Sequence, residues 1–528
     1  GGITGTARLR PEGAGATGFV LDLAARNAAF GGAVPISLAR AELKASGRLG
    51  EGTSRIAAEL SGSGLAYGAV RLANVSAKAQ IEDGRGAVRG TISGRRTDRF
   101  ALNFDAALAP GRIAAALRGD YAGMAITMPR RAVLTAAEGG GWQLAPSQIG
   151  FGGGFALIEG ALGGEETRLT LKLAQMPLRL FDLAGADLGL GGRLSGVIDY
   201  RQALRAPPEG RARIQIERFS RAGLVLSSRP VNVLGVIELG ADRLTAAGRL
   251  LEGEARLGDV ALRIAGLGRE GALGERLMRG RLDARLAYEG AAEALWRLAA
   301  IEAFDLSGPV SLAARATGTL ADPRIIGTAR SSNLVLASAL TGTRIEKIAL
   351  AGRFSGSRLE LVRFAGTTAG GGAISGSGTI DLARMGQGRG PQLDLRAAAK
   401  GARLLNANGL DATLTGPLRI VSDGLGGTIA GRVRVERARW ALGVAGEDMA
   451  LPVIATREIN RADGLAPARS QASARGAAWR YLVNASGPGR IEVDGMGLES
   501  EWGIDIALRV TVDDTRIGGT ARLVRCDY

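Results

Sequence analysis

The sequence predicts an all-β protein built as an extended, repetitive sheet, and three observations carry that prediction. The first is alternation. Trp502, Ile504, Ile506, Leu508, Val510 and Val512 alternate with Gly503, Asp505, Ala507, Arg509, Thr511 and Asp513. Strict alternation puts the apolar side chains on one face of a strand and the polar or small ones on the other. At about 3.3 Å per residue this run is a strand of about 40 Å, well beyond the usual length, which calls for a large sheet with one apolar face. The second is composition: 82 glycines, 46% hydrophobic and only 4% aromatic residues. Globular cores in a chain of 528 residues carry more aromatics, whereas stacked sheet arrays use small and β-branched residues at each rung. The third is a repeat. GTAR recurs at Gly5–Arg8, Gly327–Arg330 and Gly519–Arg522, and Thr319–Arg330 agrees with Thr511–Arg522 at most positions. In both longer segments an Asp-containing turn ends one strand before the next begins at Ile325 or Ile517.

Taken in order, residues 1–290 read as one repeating segment. Strands of about ten residues fill the first 180, and the glycines of Gly150–Gly163 suit bulges or tight bends. Pro177–Leu183 breaks the alternation and predicts a short helix. Strands resume at Gly192–Arg201, Arg211–Arg218 and Val231–Leu239. Residues 291–304 form a break: AAEALWRLAAIEAF is the clearest helix, with Leu295, Leu298 and Ile301 on one side. Residues 305–528 make the last segment. There Ile348, Leu350, Gly352 and Phe354 alternate with charged or small residues, and Ile374, Gly376, Gly378, Ile380 and Leu382 do the same. Between them the alternation reverses at Arg363 and Phe364, which predicts a bulge. Arg384–Gly390 reads as a loop, residues 403–411 as a short helix, and 446–475 as a long exposed loop holding Pro452 and Pro467. Gly1 is not an initiator Met and Tyr528 falls in mid-strand, so the chain reads as a piece of a longer one.

Composition also excludes. The net charge of +16 comes from arginine, lysine occurring only at 44, 78, 172, 347 and 400. The arginines are scattered singly along strands, with no basic block and no aromatic platform for bases, so they describe a solvated polar face rather than a nucleic-acid site. Attraction to anionic lipid head groups is the other reading of that charge. No histidine is present and Cys526 is the only cysteine, which removes a His-based triad, a His or CxxC zinc site and any intrachain disulfide. Gly139–Ile158, the longest uncharged run, is too rich in glycine to cross a membrane as a helix. Gly266, Gly268 and Gly271 fit G-x-G-x-x-G, but no βαβ pattern surrounds them. The carboxylate pairs Glu165–Glu166 and Asp513–Asp514 sit at turns, where acids serve the backbone. Neither catalytic residues nor a metal or cofactor site emerges.

Alternation alone is common to a packed solenoid core and to an open apolar groove, and it leaves both readings standing. The order of pieces near the end resembles the TamB family. The strand Arg490–Asp494, the GLESEW turn at Gly497–Trp502 and Thr511–Arg525 carry the likeness, which extends to the strand-turn-strand-Gly-strand unit within residues 310–400. Thr515 stands where the family has Pro, and Cys526 where it has Gly. The likeness is strong over about 290–527 and weaker before. It implies a long sheet curled into a hydrophobic groove, an open β-solenoid with a few short helices. It also implies the periplasmic part of a Gram-negative inner-membrane-anchored protein, with membranes at both ends. In that reading the chain passes phospholipid acyl chains along the groove and engages the outer-membrane barrel protein TamA. The groove residues would be Ile348, Leu350, Phe354, Ile374, Ile380, Leu382, Trp502, Ile504, Ile506, Leu508, Val510 and Val512. Ile517, Ala521 and Leu523 would mark a final edge strand offered to the partner. The runner-up is an adhesin-like β-solenoid with a solid core.

Overall fold

The computed structural model describes the chain apart from residues 14, 31–35, 51–52, 69, 182–189, 222–229, 299–304, 339–340, 382, 384–389, 408, 443–478, 511–514 and 528. It is all-β: the described residues hold thirty-one strands and two short helices. They fall into two compact units, one built on Gly1–Phe219 with Leu234–Ala241, the other mainly on residues from 242 onward.

The first unit is an antiparallel meander. It begins with β1 (Gly2–Glu12), β2 (Ala16–Phe30), β3 (Ile36–Gly50) and β4 (Thr53–Tyr67). Then come β5 (Val70–Glu82), β6 (Arg85–Arg95), β7 (Arg99–Ala109) and β8 (Arg112–Tyr121), each paired with its chain neighbours. Next, β9 (Met124–Thr127) and β10 (Ala132–Ala136) share one lane between β8 and β11 (Trp142–Phe151). Pro129, which has no N–H to give a ladder, stands in the gap. There the Met128 sulfur accepts the Leu117 N–H at 3.2 Å. The meander continues through β12 (Gly154–Leu162), β13 (Glu166–Pro177) and β14 (Leu190–Ala203), followed by β15 (Glu209–Arg221) and β16 (Val231–Leu239). Tyr121, Ile126, Phe151, Ala156 and Met176 form a buried cluster on one face.

The second unit opens with β17 (Arg243–Glu252), β18 (Ala255–Ala265), α1 (Leu273–Arg279), β19 (Arg281–Ala291) and α2 (Ala292–Leu298). After them β20 (Asp305–Ser307) and β21 (Pro309–Thr319) share one lane against β22 (Pro323–Ser338). The run goes on through β23 (Thr343–Gly356), β24 (Arg358–Thr368), β25 (Ala373–Asp381) and β26 (Gln392–Ala407). It ends with β27 (Leu410–Ser422), β28 (Gly427–Ala441), β29 (Arg480–Gly495), β30 (Leu498–Val510) and β31 (Thr515–Asp527). Neighbours pair antiparallel except β28 and β29, which run parallel. Among the described residues β1 pairs only with β2 and β31 only with β30.

The predicted bulge is present: the register between β24 and β25 shifts between Leu361 and Phe364. The helix expected over 291–304 is α2 as far as Leu298, and 299–304 lie outside the described residues. At Pro177–Leu183, β13 ends on the proline and residues 180–181 are helical. The loops expected at Arg384–Gly390 and 446–475 fall almost wholly outside the described residues. A correction concerns residues 403–411, which are not helical. They are the tip of a hairpin in which Asn406 faces Asp411 and Ala407 faces Leu410. Gly409, at φ +75°, supplies the left-handed turn that Asn-Gly favours.

Candidate functional site

Register builds a continuous apolar surface in the second unit. Leu350 faces Phe364, Phe364 faces Gly376, Gly376 faces Ala397 and Ala397 faces Leu418. Leu418 then faces Gly431, Gly431 faces Val483, Val483 faces Leu508 and Leu508 faces Ile517. Directly opposed residues share a sheet face. One row therefore crosses every strand from β23 to β31 without a polar side chain. A parallel row runs Gly352, Leu361, Gly378, Leu395, Ile420, Ile429 and Tyr481. At about 4.8 Å per strand, the eight steps of the first row span about 38 Å.

Phenylalanine rings fill the space that glycines leave on this face. A Cβ on Gly376 would stand 2.6 Å from the Phe364 ring, and the same arrangement recurs for Gly90 beneath Phe104 at 2.4 Å. An aromatic ring lying over a cross-strand glycine packs the face while keeping it smooth.

The predicted residues are distributed along this surface. Ile348 and Ile374 are buried in a cluster with Leu334, Ile345, Ala397 and Ala292, against which Leu350 packs. Ile504 packs against a second cluster of Ala412, Val435 and Ala438. Phe354, Ile380, Trp502, Ile506 and Leu508 are half-buried. Leu382 and Val512, and the side chain of Val510, lie outside the described residues. Ile517, Ala521 and Leu523 are exposed on β31, opposite Leu508, Ile504 and Trp502. Phe364, Leu418 and Val483 belong to the row as well. Sequence reading missed them because their place depends on pairing with distant strands.

Helix α2 covers part of the face. Ala292 and Ala294 are 3% and 2% exposed, and Ala292 belongs to the cluster of Leu334 and Ile348. Glu293 fixes the helix start, its carboxylate accepting the Gly308 N–H at 3.2 Å. Where α2 lies, Leu334 is 1% exposed; towards β30 the same face is only half covered.

The other face is charged. Arg419 makes a two-pronged contact with Asp394 at 3.2 and 3.1 Å, and Arg439 does the same with Asp494 at 3.2 and 2.7 Å. The Arg419 hydrogen bond holds the Asp394 carboxyl below its ordinary range, and the Arg439 hydrogen bond does so for Asp494. Asp381 is lowered too, first by the Ala383 N–H and then by the Ser357 hydroxyl.

Remaining motifs find structural roles. The loop of Gly266, Gly268 and Gly271 leads from β18 to α1, but β18 and β19 pair antiparallel, so no nucleotide-binding βαβ unit exists there. Buried Arg276 clamps the loop by donating to the Leu267 and Gly268 carbonyls at 3.2 and 2.7 Å. Glu166 is held by Arg168 at 2.5 Å and Arg201 at 3.2 Å; Asp513 and Asp514 lie outside the described residues. Among the described residues no cluster could hold a metal ion, and no helix is long and apolar enough to cross a membrane.

Comparison with known families decides the identity of this region. The family model of the TamB C-terminal domain matches residues 363–528. The chain is thus similar to the TamB family over that region. The match covers β25 to β31 and most of β24, and so takes in most of the apolar row. Neither a curated protein nor a solved structure matches the chain. A TamB C-terminal domain over these residues points to a TamB-type role in envelope assembly.

Proposed function

We propose that the apolar face conducts phospholipid acyl chains through the periplasm, as part of an inner-membrane-anchored bridge toward the outer membrane. The unbroken row from Leu350 to Ile517 carries this reading. A trough of that kind keeps acyl chains from water at about 0.8 kcal/mol per CH₂ without a tight site anywhere. Its span of about 38 Å exceeds the roughly 15 Å that a lipid tail occupies in half of a 30 Å hydrocarbon core. A tail thus lies along the face without leaving it. The charged opposite face keeps the sheet soluble.

Half-burial of Ile504, Ile506 and Leu508 favours this reading over an adhesin-like solid core, where such residues would be sealed. Among the described residues β31 pairs only with β30, and its Ile517 and Leu523 are 65% and 48% exposed. Such an edge is a template for strand addition, and TamA is the partner we assign to it.

The test is lipid transfer between vesicles, with lipid photo-cross-linking from position 508. Leu508→Arg should lower transfer several-fold and Arg509→Gln should leave it unchanged. Equal impairment by both, or cross-linking to lipid equally from 508 and 509, would remove the assignment of faces.

A further inference from the structure

On the charged face the second unit breaks two rules of sheet construction at one place. Arg396 on β26 stands directly opposite Arg419 on β27, and like charges directly opposed are unfavourable. Pro417 sits two residues from Arg419 inside β27, a strand paired on both sides, where proline is normally excluded. Around these two departures lies a shallow, open depression of about 450 Å³, lined by Arg396, Pro417, Arg419, Ala430, Arg432 and Asn484 among others. That volume suits a small ligand. Sites where local rules fail together are where function is expected.

Charge accounting specifies the ligand. Arg419 is matched by Asp394 at 3.1 Å. Neither Arg396 nor Arg432 has a carboxylate within ion-pair distance among the described residues. Three guanidiniums against one carboxylate leave a net charge of about +2, and a phosphate monoester carries about −1.5 to −2 at neutral pH. Guanidinium forks match phosphate oxygens geometrically, and the Asn484 amide adds a neutral donor. Pro417 projects no polar group into the space between the arginines.

We propose that Arg396, Arg419, Arg432 and Asn484 form a binding site for a phosphate monoester of about glycerol-phosphate size. Register puts this site on the face opposite the apolar row, since Arg396, Arg419 and Arg432 alternate with Ala397, Leu418 and Gly431. It is therefore independent of the acyl-chain reading and stands or falls apart from it.

The experiment uses the 528-residue chain and glycerol 3-phosphate, titrated by calorimetry at low and at moderate salt. Saturable binding of one ligand is expected. The double variant Arg396→Gln/Arg432→Gln should weaken it at least about tenfold, as loss of charge-assisted contacts requires. The control Arg324→Gln/Arg330→Gln removes the same charge from exposed positions on β22 and should bind within about twofold of the parent. Matching thermal melts keep misfolding out of the comparison. Flotation with phosphatidate-containing phosphatidylcholine vesicles separates the sources. Flotation lost only in the site variant makes the ligand a lipid headgroup, whereas glycerol 3-phosphate binding without flotation makes it a free ester. Either outcome supports the site. Non-saturable binding, or equal weakening by the control pair, overturns it.

Discussion

Helix α2 seals one part of the apolar face and leaves the rest half open, so core substitutions should have graded effects along it. Leu334 is 1% exposed and packs in the cluster with Ala292, Ile345 and Ile348. Leu334→Ala should therefore behave as a closed-core truncation, costing about 2.7–5 kcal/mol because a cavity remains. Leu508 sits on the same face near β31 and is only half-buried. Removing its three outer carbons forfeits about half of the full transfer value, or about 1 kcal/mol, and leaves no enclosed cavity. A chain of two units need not unfold in one step, so a single global midpoint is the wrong measure. Local opening, read by amide hydrogen exchange, is the right one. At about 1.4 kcal/mol per decade, amides of β22 and β23 should exchange at least about 100-fold faster in Leu334→Ala. Amides of β30 should exchange only about fivefold faster in Leu508→Ala. Comparable acceleration in the two variants would mean a uniformly sealed core, and the open-face argument would be lost.

Three further outcomes follow from named contacts. Gly376→Val puts a side chain into the Phe364 ring and the Arg396 carbonyl, at 2.6 and 2.2 Å from the new Cβ; over-packing should cost about 1–3 kcal/mol, visible as faster proteolysis at β24–β25. Asp394 and Asp494 have carboxyl groups lowered by Arg419 and Arg439. Their contribution is thus complete above the unfolded value near 3.9 and is lost as pH falls through the lower folded values. Hydrogen exchange at β26–β29 should therefore show no change from these pairs between pH 7 and about 5, and loosening only below about 4; Asp494→Asn should abolish its share of that acid response. Ala521→Pro removes a backbone donor from β31 and should reduce concentration-dependent self-association, measured by sedimentation. A parent chain that stays monomeric at high concentration would contradict the exposed-edge reading.

Much of this surface is legible in the sequence. Ile348, Leu350 and Phe354 on β23, Ile374 and Ile380 on β25, and Ile504 to Leu508 on β30 announce their face by parity alone. Strand direction is different. Alternation is identical for parallel and antiparallel neighbours, so nothing local distinguishes the parallel seam of β28 and β29. Register is equally silent: that Arg396 meets Arg419, or Phe364 meets Gly376, depends on turn lengths between strands. Helix α1 was missed because LGERLMR is a short apolar-and-charged run between glycines, too brief to show helical period. The Asn-Gly turn after β26 was readable as a hairpin signal and lost to the leucines before it.

Bulges explain how one face stays apolar over so many strands. Each inserts a residue, which would turn every later side chain to the wrong side unless the sequence pattern turned with it. Here the pattern does turn. At shifts in register in the second unit, residues facing the apolar side stand three apart instead of two: Ile345 and Ile348, Leu361 and Phe364, Ala399 and Ala402, Val435 and Ala438. The residues between include charged or strongly polar ones, such as Lys347, Arg363, Lys400 and Arg437, placed where the chain swings outward. At some of them the backbone enters the left-handed region, with Lys347 at φ 51° and Gly401 at φ 55°. A change of spacing from two to three inside an alternating run, with a charged or glycine residue in the gap, is thus a sequence signature for a bulge that preserves the face. It separates a broken strand from a bent one. Bends of this kind let a sheet curve while its interior remains continuous, which a surface carrying an apolar chain requires and an isolated binding pocket does not.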